Sequence, residues 1–181
     1  MRRTNVTRQN GFTLVELMVV VAILSILSAV AIVNINARQS YDHMQKETMN
    51  FMSLVNEARN AAINSRTRVM FQFSPTSMEW CVTNCVVTGQ PRSITHRLWK
   101  VRIMQYAREA VINGIAPTTL MAMPNDYRHF YIEPDGTLIG FPTDTAPVGV
   151  TLYFQHETDT SQKYRVAVLP LLGKAKIINK W

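Results

Sequence analysis

Residues 12–35 form an apolar run of 24 residues whose one charge is Glu16, and neither Gly nor Pro occurs between positions 12 and 68. Nothing in the run breaks a helix. As a helix it reaches about 36 Å, more than a hydrocarbon core of roughly 30 Å. A chain with such a segment must bury it in a bilayer or in something equally apolar. Residues 1–11 ahead of it are polar and basic, with Arg2, Arg3 and Arg8 and no acid. Basic residues before the run and none at its start predict a cytoplasmic leader, with the remainder across the inner membrane.

Glu16 is the anomaly. A carboxylate a little over one turn into an apolar span costs roughly 2.5–3.5 kcal/mol on insertion scales. Either it snorkels to the headgroups, or it waits for a charge supplied by a neighbour. The surrounding string, Gly11-Phe12-Thr13-Leu14-Val15-Glu16-Leu17, resembles the cleavage signature of the type IV prepilins. The shared features are a basic leader ending in Gly, a Phe, a Glu at the fifth residue after the cut, and a long apolar run. The resemblance implies removal of residues 1–11 by a membrane prepilin peptidase and N-methylation of Phe12. It also implies that Glu16 neutralises the Phe12 ammonium of a neighbouring subunit in a filament. Two uncompensated charges in lipid are each costly, and pairing removes both penalties. Where many pilins carry a helix-breaking Pro this chain has Val33, so the helix is expected to be continuous. The competing reading is a secretory signal cut after Ala29-Val30-Ala31; it would leave Glu16 inside the apolar region of that signal.

Beyond residue 36 the period changes. Tyr41, Met44, Thr48, Phe51, Met52, Val55, Ala58 and Ala62 recur every three or four residues as one stripe, the pattern of a helix face packed on a core. Gln45, Lys46, Glu47, Asn50, Asn56, Arg59 and Asn60 fill the other face. The expected element is one helix of about 54 residues, roughly 80 Å long, membrane-spanning over 12–35 and amphipathic over 36–65.

Residues 66–181 read as a β-rich head. Strands are expected over 69–73, 98–103, 128–133, 137–141, 150–155, 164–169 and 175–178. A hairpin over 78–88 is expected to turn at Thr83-Asn84, with a short helix over 104–113 and a loop over 115–125. Turn residues punctuate it at Pro134-Asp135-Gly136, Asp159-Thr160-Ser161 and Gly173. The fold class is α+β: a long N-terminal helix packed on antiparallel sheet. A strand, the Glu133-Pro134-Asp135-Gly136-Thr137 turn and a last pair broken by Gly173 resemble the minor pilins and pseudopilins of the H/FimT-like group, whose head has two small antiparallel sheets.

Length and composition agree with one such head plus an anchor. The chain has 181 residues, 47% hydrophobic and 17% charged, which excludes a disordered chain and a multi-span membrane protein. There is no Gly-x-Ser-x-Gly elbow, phosphate-binding loop or dinucleotide fingerprint, and glycines number only seven. His43, His96, His129 and His156 show no metal spacing. Glu133, Asp135 and Asp144 sit at turns, where Asp serves by turn hydrogen bonds. No catalytic residue, metal or cofactor is expected. Cys81 and Cys85 suggest metal or redox chemistry in a cytosolic chain and a small disulfide loop in an exported one. Export favours the loop, with stabilisation at the low end of ~2–4 kcal/mol.

The formal charge is +7, and the leader arginines leave +4 for the remainder. Two basic runs stand out, Arg92, Arg97, Lys100 and Arg102, then Lys163, Arg165, Lys174, Lys176 and Lys180. Some relatives in the resembled group bind DNA during transformation, so these residues are candidates for DNA contact. A solvated basic face is the plainer reading. Few aromatics interleave with the charges, apart from Trp99, Tyr164 and Trp181.

The expected function is a minor pilin or pseudopilin that primes or caps a type IV pilus or a type II secretion pseudopilus. Its partners would be other pilins, the inner-membrane assembly platform, the prepilin peptidase and inner-membrane lipid. The head would lie in the periplasm, then in a filament. The alternative is a pilus-tip subunit that captures DNA or a surface. The mature chain is expected to begin at Phe12 with one added methyl group, and intact mass of membrane-extracted protein checks it. A start at Ile32 would instead indicate an ordinary signal peptide. Gly11→Arg should leave an unprocessed, membrane-retained precursor.

Overall fold

The structure, a computed structural model, describes residues 12–85, 89, 91–112, 117–140 and 146–179, excepting the side chains of 30–37 and 179. Without Gly or Pro to break it, the first helix α1 runs unbroken over Leu14–Ser65, 52 residues. Thr13 opens it, its Oγ1 accepting from the Glu16 N–H at 3.2 Å, the first half of a Thr-x-x-Glu capping box. At the other end Arg66 takes a left-handed φ of 51°. The Thr67 N–H then donates to Ala62 O and the Arg66 N–H to Ile63 O, a Schellman closure made without glycine.

The chain divides into two compact units, Met1–Gln39 and Ser40–Trp181. In the first, every described side chain from 12 to 29 is exposed. Among the described residues no helix is long and apolar enough to cross a membrane. The apolar run of 12–35 continues past residue 29 into side chains outside the described residues.

The second unit is built on the sequence stripe. Met44, Thr48, Phe51, Val55, Ala58 and Ala62 are fully buried, as a 3.6-residue period requires of one helix face. They meet two five-stranded antiparallel sheets. The first contains β1 (Val69–Phe73), β2 (Ser77–Val82), β3 (His96–Arg97), β6 (Arg128–Ile132) and β7 (Leu138–Ile139), in the order β3-β2-β1-β6-β7. The second contains β4 (Val101–Ala107), β5 (Leu120–Ala122), β8 (Val150–His156), β9 (Lys163–Val168) and β10 (Ala175–Asn179), in the order β10-β9-β8-β4-β5. Phe51 connects the three layers: its ring lies 5.6 Å from Phe71 on β1 and 5.7 Å from Phe154 on β8. Phe71 in turn stacks at 4.8 Å on Phe130, its direct partner across β1 and β6.

Several expectations are corrected. Residues 104–113 do not begin a helix. β4 continues to Ala107, and its register shifts between Ile103 and Gln105, a bulge that leaves Met104 exposed and erases the period-two signal there. The loop expected over 115–125 contains β5, paired with β4 at Gln105–Ala122. The strand expected from 98 starts at Val101 because Lys100 takes a left-handed φ of 57°. The chain does turn at Thr83, φ 68°, and β2 pairs with β3 and, through Cys81, with Arg92, beyond the expected hairpin of 78–88, whose residues 86–88 lie outside the described residues. Glu47 is not on the solvent face of α1. It is 2% exposed, its Oε2 receiving His96 Nε2 at 2.7 Å and Asn50 Nδ2 at 3.4 Å. Phe141 of the expected 137–141 strand lies outside the described residues.

Two histidines far apart in sequence meet where α1 passes the β8–β9 turn: His43 stacks on His156 with ring centroids 6.0 Å apart. His156 is 3% exposed. Its Nδ1 accepts from the backbone N–H groups of Asp159 at 3.1 Å and Thr158 at 3.4 Å, closing the turn after β8. Burial, then the neighbouring His43 and Lys100, lower its pKa against the upward pull of Asp159 and Glu157. His129 is lowered too, by burial and Arg128. A depressed folded-state pKa binds fewer protons folded than unfolded. The stability it brings is therefore present above about pH 6.5 and lost as pH falls through the folded value.

Phe51→Ala should cost about 3–5 kcal/mol, the range for emptying a buried aromatic site, measured by denaturant unfolding. Stability should fall as pH drops below about 6.5. His156→Asn, which keeps an acceptor without a titrating ring, should flatten part of that slope; an unchanged slope would contradict the role given to His156.

Candidate functional site

The residues that the sequence singles out fall in three places. The first is the start of α1. Gly11 lies outside the described residues. Phe12 is 81% exposed, and the large apolar side chains Leu14, Val15, Leu17, Met18 and Val19 behind it are exposed as well. Monomeric proteins rarely leave a continuous apolar surface of this kind to water. The hydroxyls within it are already answered: Ser25 donates to Val21 O at 2.8 Å and Ser28 to Leu24 O at 2.7 Å. Such back-bonding to the carbonyl one turn earlier lets serine sit in hydrocarbon. Glu16 is the exception. Its N–H is capped by Thr13, but among the described residues its carboxylate meets no cation or donor. The helix dipole favours an acid in the first turn by some 0.3–1 kcal/mol, less than the cost of a carboxylate in lipid. The Thr-x-x-Glu spacing of this cap is present in Thr13-Leu14-Val15-Glu16, overlapping the cleavage signature.

The second place is the disulfide. Cys81 on β2 and Cys85 beyond its turn are bonded, with Cα atoms 5.1 Å apart, and Arg92 donates to the Cys85 carbonyl at 3.0 Å. Glu79 lies within 4.8 Å of both sulfurs. The trio has the composition of a metal site, yet sulfurs joined to each other offer no thiolate to an ion. Glu79 is instead bonded by Thr95 Oγ1 at 2.5 Å and by Gln72 Nε2.

The third place is the pair of basic runs, and the strands disperse them. Arg97 is on β3, the edge of the first sheet, while Lys176 is on β10, an edge of the second. Arg102 on β4 is separated from β10 by two strands, and its Nε donates to Glu157 at 2.7 Å. Lys100 and Lys174 are exposed in turns, and Lys180 lies outside the described residues. Of the turn acids, Asp135 accepts from the Thr137 N–H and hydroxyl at 2.9 and 2.7 Å, which lower its pKa. Glu133 pairs with Arg68 at 2.6 Å, and Asp144 is outside the described residues.

Comparison with known proteins agrees with the first place. Residues 6–32 match the prokaryotic N-terminal methylation motif. No curated protein matches the chain in sequence. Among solved structures, the type IV minor pilin FimU of Pseudomonas aeruginosa aligns with a TM-score of 0.50 at 12% identity, covering 76% of this chain and 90% of FimU. The minor pseudopilin EpsH of the type 2 secretion system of Vibrio cholerae aligns at 0.48 and 10% identity, covering 76% of this chain and 97% of EpsH. At such identity the likeness speaks to fold, and the motif speaks to the N-terminus. The chain carries a prepilin-type N-terminal methylation motif joined to the fold of a minor pilin.

Proposed function

We propose that the chain is a minor pilin or pseudopilin, a subunit of a type IV pilus or type II secretion pseudopilus. A prepilin peptidase cuts after Gly11 and Phe12 is N-methylated. Residues 12–35 hold the chain in the inner membrane, and the head stands in the periplasm. The assembly platform then passes the subunit into a filament among other pilin-type chains. The observation that carries this reading is a methylation motif coinciding with an exposed apolar helix whose one charge has no partner among the described residues. Hydrocarbon answers the apolar surface, first as lipid and then as the packed helices of neighbours. The carboxylate is answered by the ammonium that processing creates at a neighbour's first residue. A residue unfavourable alone and satisfied only across a subunit boundary favours assembly in one register.

Glu16 also holds the last position of the Thr-x-x-Glu sequence that opens its helix, and two substitutions separate that position from the charge. Glu16→Gln keeps a capping-box residue and removes the charge, whereas Glu16→Val removes both. Both variants should be processed and inserted like wild type. Both should enter isolated filaments at about one tenth of the wild-type level or less, the factor given by ~1.4 kcal/mol of lost pairing. Quantitative mass spectrometry of sheared or detergent-isolated filaments measures it. Wild-type incorporation of Glu16→Gln beside impaired Glu16→Val would assign Glu16 to capping.

A further inference from the structure

Arg59 lies half-buried on α1 beneath two turns, one from each sheet. The β6–β7 turn passes over it at Gly136, φ 82°, where an added Cβ would meet Arg59 Nε at 2.7 Å. The β9–β10 turn passes at Gly173, φ 54°, where a Cβ would meet the Gly136 carbonyl at 2.6 Å and Arg59 Cδ at 3.1 Å. Only glycine allows both the left-handed backbone and the approach. The two turns are tied to each other, Leu138 N–H donating to Pro170 O at 2.8 Å. The β9–β10 turn is tied to itself, Leu169 to Lys174 O and Gly173 to Leu169 O, each at 2.9 Å.

This rigid joint holds two things that a free surface does not need. At its tip Leu171 and Leu172 are 70% and 51% exposed, and Ile63, one turn along α1 from Arg59, is exposed as well. At its base Arg59 Nε is buried with no hydrogen-bond partner among the described residues. Among the described residues no carboxylate pairs with the guanidinium: the acids of the three ion pairs go to Arg68, His96 and Arg102. A partly desolvated cation without a counter-charge is unfavourable by itself. Beside preorganised apolar side chains, it has the composition of an interface hot spot.

We propose that Arg59, Ile63, Leu171 and Leu172 form a docking site for the head of a different pilin-type subunit, one presenting a carboxylate on an apolar surface. Charge selects the occupant. A second copy of this chain, its leader with Arg2, Arg3 and Arg8 removed, still brings a net charge of about +4, whereas an acidic head supplies what Arg59 lacks. The site rests on the filament reading and adds a head-to-head contact to the one at Glu16.

The test co-expresses the full-length chain with each chain of the same cell that carries the methylation motif, and measures co-purification from mild detergent. Leu171→Ser/Leu172→Ser alters only an exposed turn, so it should fold as wild type and lower co-purification of one partner at least about fivefold. Arg59→Glu should lower it about tenfold or more, and reversing one acidic residue of that partner to Lys should restore the complex with Arg59→Glu alone. Undiminished co-purification by the double-serine variant, in protein with unchanged melting temperature, would overturn the docking site and leave the filament reading standing. Absence of a complex between the wild-type chain and every such partner would overturn both.

Discussion

α1 makes its own backbone hydrogen bonds along 52 residues, and the structure depends on that continuity. A helix is one of only two ways to carry a backbone through hydrocarbon without orphaned polar groups. The same element, with no break in its ladder, supplies the buried stripe from Met44 to Ala62. Its residues change while its geometry does not: a mostly apolar run with the single charge Glu16 over 12–35, and an amphipathic pattern from there onward.

The head converts a helix stripe into a three-layer core through few residues. Phe51 reaches Phe71 and Phe154, so each sheet is fixed against the helix and, through it, against the other sheet. The remaining polar joints lie at the margins of this core. Glu47 with His96 ties α1 to the edge strand β3, and His43 with His156 meets the turn after β8. Arg59 lies under the two glycine turns. All three are helix residues that meet segments distant in sequence.

That distance explains what could and could not be read beforehand. The helix, its stripe and its lack of a kink were legible because period and missing breakers are local properties. So were β1, β6, β8, β9 and β10, which end within a residue or so of their expected bounds. β4 was misread because a bulge at Met104 breaks the alternation that identifies a strand, and β5 because three residues carry too little pattern. Glu47 read as solvated because a carboxylate beside the stripe is ordinarily so; its close partner His96, 49 residues away, is not visible in the local pattern. At the N-terminus the signature at Gly11, Phe12 and Glu16 was legible as a string, and a family model now matches residues 6–32. The partition of strands into two sheets was expected from resemblance alone, since no local property specifies strand order.

The central claim is that the Glu16 carboxylate pairs with the N-terminal ammonium of another subunit. Carbodiimide cross-linking of isolated filaments, followed by peptide mass spectrometry, addresses it directly because the reagent joins a carboxylate to an amine only when they touch. The expected result is a cross-linked peptide joining Glu16 to the mature N-terminus of a different chain. Filaments that contain this chain but yield Glu16 only unlinked, or linked to a lysine of a head, would contradict it.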